Sequence, residues 1–403
     1  MKKFDPATSL EKSAHLSENY MVNPPITDSA TYAFDSGEDM TATFHGEKEA
    51  FLYSRHWNPT NLELSKALAA MEGTEMAWVT GSGMAAITST ILQICQSGDH
   101  IVSSMTTYGG TFAFMKNWLP KYGIEVDFVD ITNLQAVEDA IKSNTKLIYT
   151  ETMTNPLLQI SDIPELSTLA RQKGIQVVVD NTFTPMIFSP AQLGADVVVY
   201  SMTKFVNGKN DATAGAICAS EEFINSLIDV QEGTAMLLGP VLEPLRESSI
   251  HKNLFTLPIR MQKHSENATF LAKKFKEAGL KVNYPGLPEH PGHEVMKRTM
   301  NEEYGFGGMI SLDLETCEKA SQFMSCMQEN GVGYLAVSLG YFRTLFSNSG
   351  TSTSSEVPEH LQKQMGLSEG LVRYSVGLDH DIRKTYEKIE KSLQELGYLQ
   401  THV

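Results

Sequence analysis

Lys204 closes the run Val197-Val198-Val199-Tyr200-Ser201-Met202-Thr203-Lys204. Four β-formers in succession predict a buried strand, and the polar residues after them predict a turn. The Ser201 and Thr203 hydroxyls can donate to a phosphate, and the Lys204 amine can form a Schiff base with an aldehyde. Pyridoxal phosphate (PLP) carries both groups on one small molecule, and its protein partners include an acid facing the pyridinium nitrogen. The run Gln176-Val177-Val178-Val179-Asp180 supplies that acid at the end of a second apolar strand. Parallel neighbours would deliver Asp180 and Lys204 to one sheet edge, where open α/β sheets bind ligands. Taken alone, Lys204 reads as a solvated lysine after a strand. Ser201, Thr203 and Asp180 around it favour the cofactor site.

Other candidates are individually weaker. Tyr53 and Arg55 lie two apart on an extended segment and so point the same way; a phosphate or a surface ion pair would satisfy them. Gly81-Ser82-Gly83-Met84 joins a strand to a helix start, which makes an anion site or simply a tight connection. It lacks the third glycine of a dinucleotide fingerprint, and Gly208-Lys209 lacks the spacing of a P-loop. Tyr108, beside Gly109 and Gly110, can stack on a flat ring or pack in a loop. Arg373 stands among strand residues and, if it points inward, needs an anionic partner: a structural glutamate or a substrate carboxylate.

These residues need a scaffold, and the chain of 403 residues is long enough for two or three domains. A net charge of -16 gives no electrostatic case for nucleic acid or an anionic membrane. There is no apolar run of the roughly 20 residues a membrane span needs, and Met1-Lys2-Lys3-Phe4 opens no signal peptide. Cys95, Cys218, Cys317 and Cys326 form no CxxC and read as reduced thiols of a cytoplasmic protein. His290 and His293 lack a thiol or carboxylate cluster, so no metal site is expected.

Residues 1–60 read as an extended arm. Strands are predicted at Met76–Thr80, His100–Ser103, Val126–Val129 and Lys146–Glu151, besides the two above. Helices lie between them, at Thr60–Gly73 with Thr60 as cap, Ala85–Gln96, Phe112–Lys121 and Leu134–Ile141. This alternation predicts an α/β domain over 61–257 around a mostly parallel sheet. After residue 215 the pattern turns helical. Leu257-Pro258 marks a boundary to a smaller α/β domain over 258–403, with strands at Lys281–Tyr284, Met309–Leu314 and Leu371–Leu378, and Ser347–Ser355 as a loop.

The motifs YSRxxNPT, SGM, YGGT, VVVDNTF, SxTKxxxGxxD and GLVRxSVGLD occur in that order over nearly the whole chain. In this the chain resembles the transsulfuration (Cys/Met metabolism) family of fold type I PLP enzymes. SRHWNPT, MLLGP and SLGYFRTLFSNSGTSTSSE are most similar to its plant-type methionine gamma-lyases. The resemblance implies a PLP transferase-like fold and a homotetramer, a dimer of dimers with shared active sites. It implies that Lys204 bonds PLP and moves protons, that Asp180 keeps the ring nitrogen protonated, and that Tyr108 stacks on the ring and assists the leaving group. Gly83, Met84, Ser201 and Thr203 would hold the phosphate, completed by Tyr53 and Arg55 of a neighbouring subunit. Asn155 would lie near the ring hydroxyl, and Ser338 and Arg373 would bind the substrate carboxylate.

Members handling cystathionine carry charged residues where this chain has Leu52, Ala113 and Val337. A thioether tail needs only an apolar wall. The expected reaction is therefore α,γ-elimination on L-methionine or a close analogue. An O-acylhomoserine sulfhydrylase, or another γ-lyase such as cystathionine gamma-lyase, is the alternative. Two positions depart from related patterns: Gly110, a cysteine in bacterial methionine gamma-lyases, and Arg343, a glutamate in many relatives. Arg343 reads either as a cation near the pocket mouth or as one half of an outward ion pair.

Overall fold

The computed structural model describes residues 4–16, 20–349, 362 and 367–399. Two sheets organise it. The larger has seven strands: β1 (Met76–Thr80), β2 (His100–Ser104), β3 (Glu125–Val129), β4 (Thr145–Glu151), β5 (Gln176–Asp180), β6 (Val197–Ser201) and β7 (Gly215–Ala219). Their order is β1-β7-β6-β5-β4-β2-β3, and β7 alone runs against the rest. The valine runs of β5 and β6 are buried on both faces, as a sheet covered by helices requires. The second sheet contains β8 (Lys281–Asn283), β9 (Met309–Asp313), β10 (Gly333–Leu335), β11 (Thr344–Asn348) and β12 (Leu371–Ser375), in the order β10-β11-β12-β9-β8. Only its β10–β11 pair is parallel.

Several sequence expectations are corrected. β7 falls where a helical region was expected. Its glycine and alanines carry no β signal, and it is a strand because β1 and β6 pair with it on either side. Three short helices follow it, Glu221–Leu227, Thr234–Leu238 and Pro244–Leu254, rather than two long ones. The 112–121 region starts as an α-helix at Gly109, then passes through a π turn, Phe114–Trp118, and a 3₁₀ turn. Ser347 and Asn348 close β11 instead of opening a loop; residues 350–355 lie outside the described residues.

Thr60 does not cap its helix. Asn58 does, accepting from the Thr60 amide at 2.8 Å, because Pro59 fills the first helical position. The Thr60 hydroxyl instead accepts from the Thr27 amide at 2.9 Å and fastens the arm. That arm holds two short helices, Pro6–Ser13 and Gly37–Phe44, and Leu10 of the first is buried in the large core.

The helix Leu257–Glu277 connects the two sheets. Its Leu257 and Met261 join the core of the large sheet, while Ala268, Leu271 and Phe275 join that of the second.

Candidate active site

Glu151, Asp180 and Ser201 end the adjacent strands β4, β5 and β6, so their side chains collect at one sheet edge. A cavity of about 310 Å³ opens there. Of the residues singled out from sequence, Gly83, Met84, Tyr108, Asn155, Asp180, Ser201, Thr203, Lys204, Val337, Ser338 and Arg373 line it. Tyr53, Arg55, Leu52 and Ala113 do not line this cavity of their own chain. Arg55 instead lies over the Tyr53 ring, 5.5 Å from its centroid.

One end suits a phosphate. Ser82 caps the helix Gly83–Ile94, taking the Ala85 amide on its hydroxyl at 3.1 Å and the Ala86 amide on its carbonyl at 3.2 Å. That leaves the Gly83 and Met84 amides as donors of the first turn, where helix ends hold anions. A Cβ at Gly83 would lie 2.6 Å from Ser201 Cβ, so only glycine lets the two segments meet. Thr203 is tied to the residue just before β7: its hydroxyl accepts from the Ala214 amide at 3.0 Å.

The middle of the cavity carries the titratable groups. Lys204 Nζ donates to Ser338 Oγ at 2.9 Å. Burial, helped by the Arg373 charge, brings the amine down to about 8. Asp180 is buried and accepts from the Thr182 amide at 2.9 Å. Burial pushes its carboxyl up, as it does that of Glu151, its register partner on β4. A cationic ring nitrogen is the kind of partner that would restore Asp180 to the charged form. The cavity thus fits PLP at three points: an amide cradle, an amine and a buried acid.

Tyr108 stands over the opening, 42% exposed. Its ring leans across Gly110, where a Cβ would come within 2.6 Å of Tyr108 Cε1. Gly110 therefore makes room for a neighbouring side chain.

Arg373 is buried at the far wall, with neutral partners. Its guanidinium donates to Asn155 Oδ1 at 3.2 Å and to the Ser338 carbonyl at 3.1 Å. No carboxylate pairs with it among the described residues, so none of the described glutamates is the structural partner considered from sequence. Arg343 is not at the cavity. Its guanidinium lies over the Tyr334 ring, 5.3 Å from the centroid, and donates to the Gly331 carbonyl. Its charge also bears on Asp379, which agrees with a structural use rather than a pocket-mouth cation.

Comparison with known proteins agrees with this geometry. The family model for Cys/Met metabolism PLP-dependent enzymes matches residues 8–393. The chain is 44% identical to methionine gamma-lyase of Arabidopsis thaliana over 96% of its own length and 90% of the relative's. It is 39% identical to L-methionine gamma-lyase of Fusobacterium nucleatum subsp. polymorphum, over 92% and 93% of the two chains. Among solved structures, cystathionine gamma-lyase of Lactobacillus plantarum superposes with a TM-score of 0.86 at 29% identity, covering 98% of this chain and 99% of that one. A Campylobacter jejuni protein described as an O-acetylhomoserine (thiol)-lyase, which carries N'-pyridoxyl-lysine-5'-monophosphate, gives 0.89 at 26% identity, covering 97% and 100%. With an α/β fold of type I and this site at its sheet edge, the chain belongs to the Cys/Met metabolism family of PLP-dependent enzymes.

Proposed function

We propose that the protein is a carbon–sulfur lyase that eliminates the γ-substituent of L-methionine or a close analogue. Methionine and water give 2-oxobutanoate, ammonia and methanethiol. The observation that carries this reading is the charge inventory of the cavity. One buried cation, Arg373, has only neutral partners and so suits one α-carboxylate. Among the described residues no charged side chain beyond Glu151, Asp180, Lys204 and Arg373 lines the cavity, whose walls include Ile87, Met153, Phe183, Val337 and Leu339. A thioether tail fits such a wall. The second amino-acid head group of cystathionine would be left unpaired there, at a cost on the order of a few kcal/mol. Leu52 and Ala113 are uncharged as well, though neither lines the cavity of its own chain.

PLP supplies the electron sink for bond breaking next to the amino-bearing carbon. The protein's residues do the rest. The Gly83 and Met84 amides, with Ser201 and Thr203, would hold the phosphate, and Asn155 would lie near the ring hydroxyl. Asp180 would keep a proton on the ring nitrogen. Arg373 fixes the substrate carboxylate, braced by Asn155 and the Ser338 carbonyl. Lys204 Nζ takes the α-proton and serves as the proton carrier of the later steps. Tyr108, at the mouth, assists departure of the thiolate. Tyr53 and Arg55 complete the phosphate site of a neighbouring chain, which makes the working unit a dimer within a tetramer. Among the described residues no helix is long and apolar enough to cross a membrane. Together with the free cysteines this supports a cytoplasmic setting.

The likeness to sulfhydrylase and cystathionine-lyase structures gives the competing readings. Release of 2-oxoacid from methionine, from cystathionine, and from O-acetylhomoserine with and without sulfide separates them. The expected ranking by kcat/KM puts methionine above cystathionine, with no obligatory need for added thiol. A kcat/KM for cystathionine equal to or above that for methionine, or turnover only with O-acetylhomoserine plus sulfide, overturns the proposal.

A further inference from the structure

Glu151 was not among the residues selected from sequence, yet it binds both loops that carry Tyr108 and Asn155. It ends β4, is 5% exposed, and lines the cavity. Its Oε1 accepts from the Tyr108 amide at 2.7 Å and from the Thr107 hydroxyl at 2.9 Å. Its Oε2 accepts from the Asn155 amide at 2.8 Å. Both oxygens therefore receive a backbone N–H, and the two belong to different loops. One loop carries the tyrosine over the cavity mouth. The other carries the asparagine whose Oδ1 accepts from Arg373. Glu151 also sits in register with Asp180 on β5.

We propose that Glu151 is the positioning residue of this site. Its carboxylate ties the Tyr108 turn to Asn155, and through Asn155 it sets the angle of the Arg373 guanidinium. Ring stacking and carboxylate recognition are thereby fixed by one buried side chain that need not touch the substrate itself. Two oxygen acceptors suit the place: Oε1 and Oε2 each receive a backbone N–H, and a carboxyl group can accept on both oxygens at once. A glutamine cannot do this. With its carbonyl oxygen serving Tyr108 and Thr107, its amide nitrogen would face the Asn155 N–H, donor against donor.

The test is Glu151→Gln in the full-length, PLP-loaded protein, and it rests on the site assignment above but not on which substrate is physiological. Two readouts are taken. The first is binding of L-alanine, an amino acid with no γ-substituent to lose, followed by the absorbance change of the bound cofactor. The second is the visible circular dichroism of the holoenzyme without substrate. A positional error of about 1 Å costs up to about 100-fold, so alanine binding should weaken by about tenfold or more while PLP stays bound. The dichroism should change as the tyrosine relaxes. A double variant with Asn155→Ala should bind alanine little worse than either single variant, because both act on Arg373. Unchanged alanine affinity and dichroism in a folded, PLP-loaded Glu151→Gln protein would overturn the proposal, as would strictly multiplicative losses in the double variant. If Glu151→Gln does not fold, Thr107→Val removes one donor to Oε1 and leaves the carboxylate in place. It should alter the visible dichroism without loss of PLP, and an unaltered spectrum overturns the proposal. Failure of the parent protein to turn over methionine while it binds alanine would instead count against the lyase reading.

Discussion

Lys204 Nζ donates to the hydroxyl of Ser338, and Ser338 holds a backbone φ of +83°. A residue with a Cβ is uncommon in that region, and the conformation costs roughly 1–2 kcal/mol. Gly340, two residues on, passes so close to Phe205 that a Cβ there would meet its backbone nitrogen at 2.5 Å. The segment is thus pressed against the lysine turn, which gives a reason for the strained backbone. Ser338 Oγ also donates to Asn210 Oδ1 at 3.2 Å, which turns a lone pair toward Lys204.

Stability and activity should therefore part company at Ser338. Ser338→Ala keeps the strained φ and loses the hydroxyl. Ser338→Gly loses the hydroxyl but relaxes the backbone. The glycine variant should be the more stable of the two by about 1 kcal/mol, while turnover falls in both. Thermal midpoints of the two proteins, with kcat on methionine, check this. Equal midpoints would show that the φ is not a cost.

The parts of the site carried by local pattern were legible in the sequence. Val177–Val179 and Val197–Val199 announce buried strands, and the residues that end them, Asp180 and the Ser201–Lys204 turn, meet as expected. What was missed depends on contacts between distant segments. β7 has little β character of its own and takes its form from its neighbours. Glu151 was visible only as the last residue of a strand, because its partners at Tyr108 and Asn155 come from two separate loops. For Arg373 the sequence left two anions open, a structural glutamate or a substrate carboxylate; its protein partners are the neutral oxygens of Asn155 and Ser338, contacts between distant segments that no local pattern shows.

The Lys204 amine should titrate well below an ordinary lysine. Burial, then the Arg373 charge, disfavour the ammonium and bring it to about 8. Only the neutral amine adds to an aldehyde, so in cofactor-free protein the rate of PLP capture should rise with pH to half its maximum near 8. Arg373→Gln removes the like charge and should move that midpoint upward, by less than burial moved it down. Stopped-flow absorbance across pH 6.5 to pH 10 reads both. A midpoint unaffected by Arg373→Gln would remove the arginine from the account.

Glu72 should make stability fall with rising pH. It is wholly buried, accepting from the Tyr200 hydroxyl and, at 3.0 Å, from the Ala191 amide. Burial raises its carboxyl from 4.5 to about 8. The folded state then holds a proton that the unfolded state releases, so its contribution is fully present below pH 4.5 and is lost as pH rises through about 8. Glu72→Gln has no proton to lose. Thermal midpoints between pH 5 and pH 8.5 should therefore decline less steeply in the variant than in the parent. Parallel declines would assign the slope to other groups.

The last prediction concerns Tyr53 and Arg55. In their own chain they lie outside the cavity that holds Ser201 and Thr203, and both are exposed. An exposed cation on an arm, together with a phosphate cradle completed only by amides and hydroxyls, suits an exchange between subunits across a two-fold axis. Arg55→Ala and Lys204→Ala should each be weak or inactive alone. Refolded together or co-expressed, they form mixed dimers. One site of each mixed dimer then takes an intact Lys204 from one chain and an intact Arg55 from the other, while its twin carries both defects. Activity should reappear on mixing, up to about half the parental level per mixed dimer. If tagged chains prove that hybrids form and no activity returns, Arg55 does not serve a neighbour's phosphate, and the shared site is refuted.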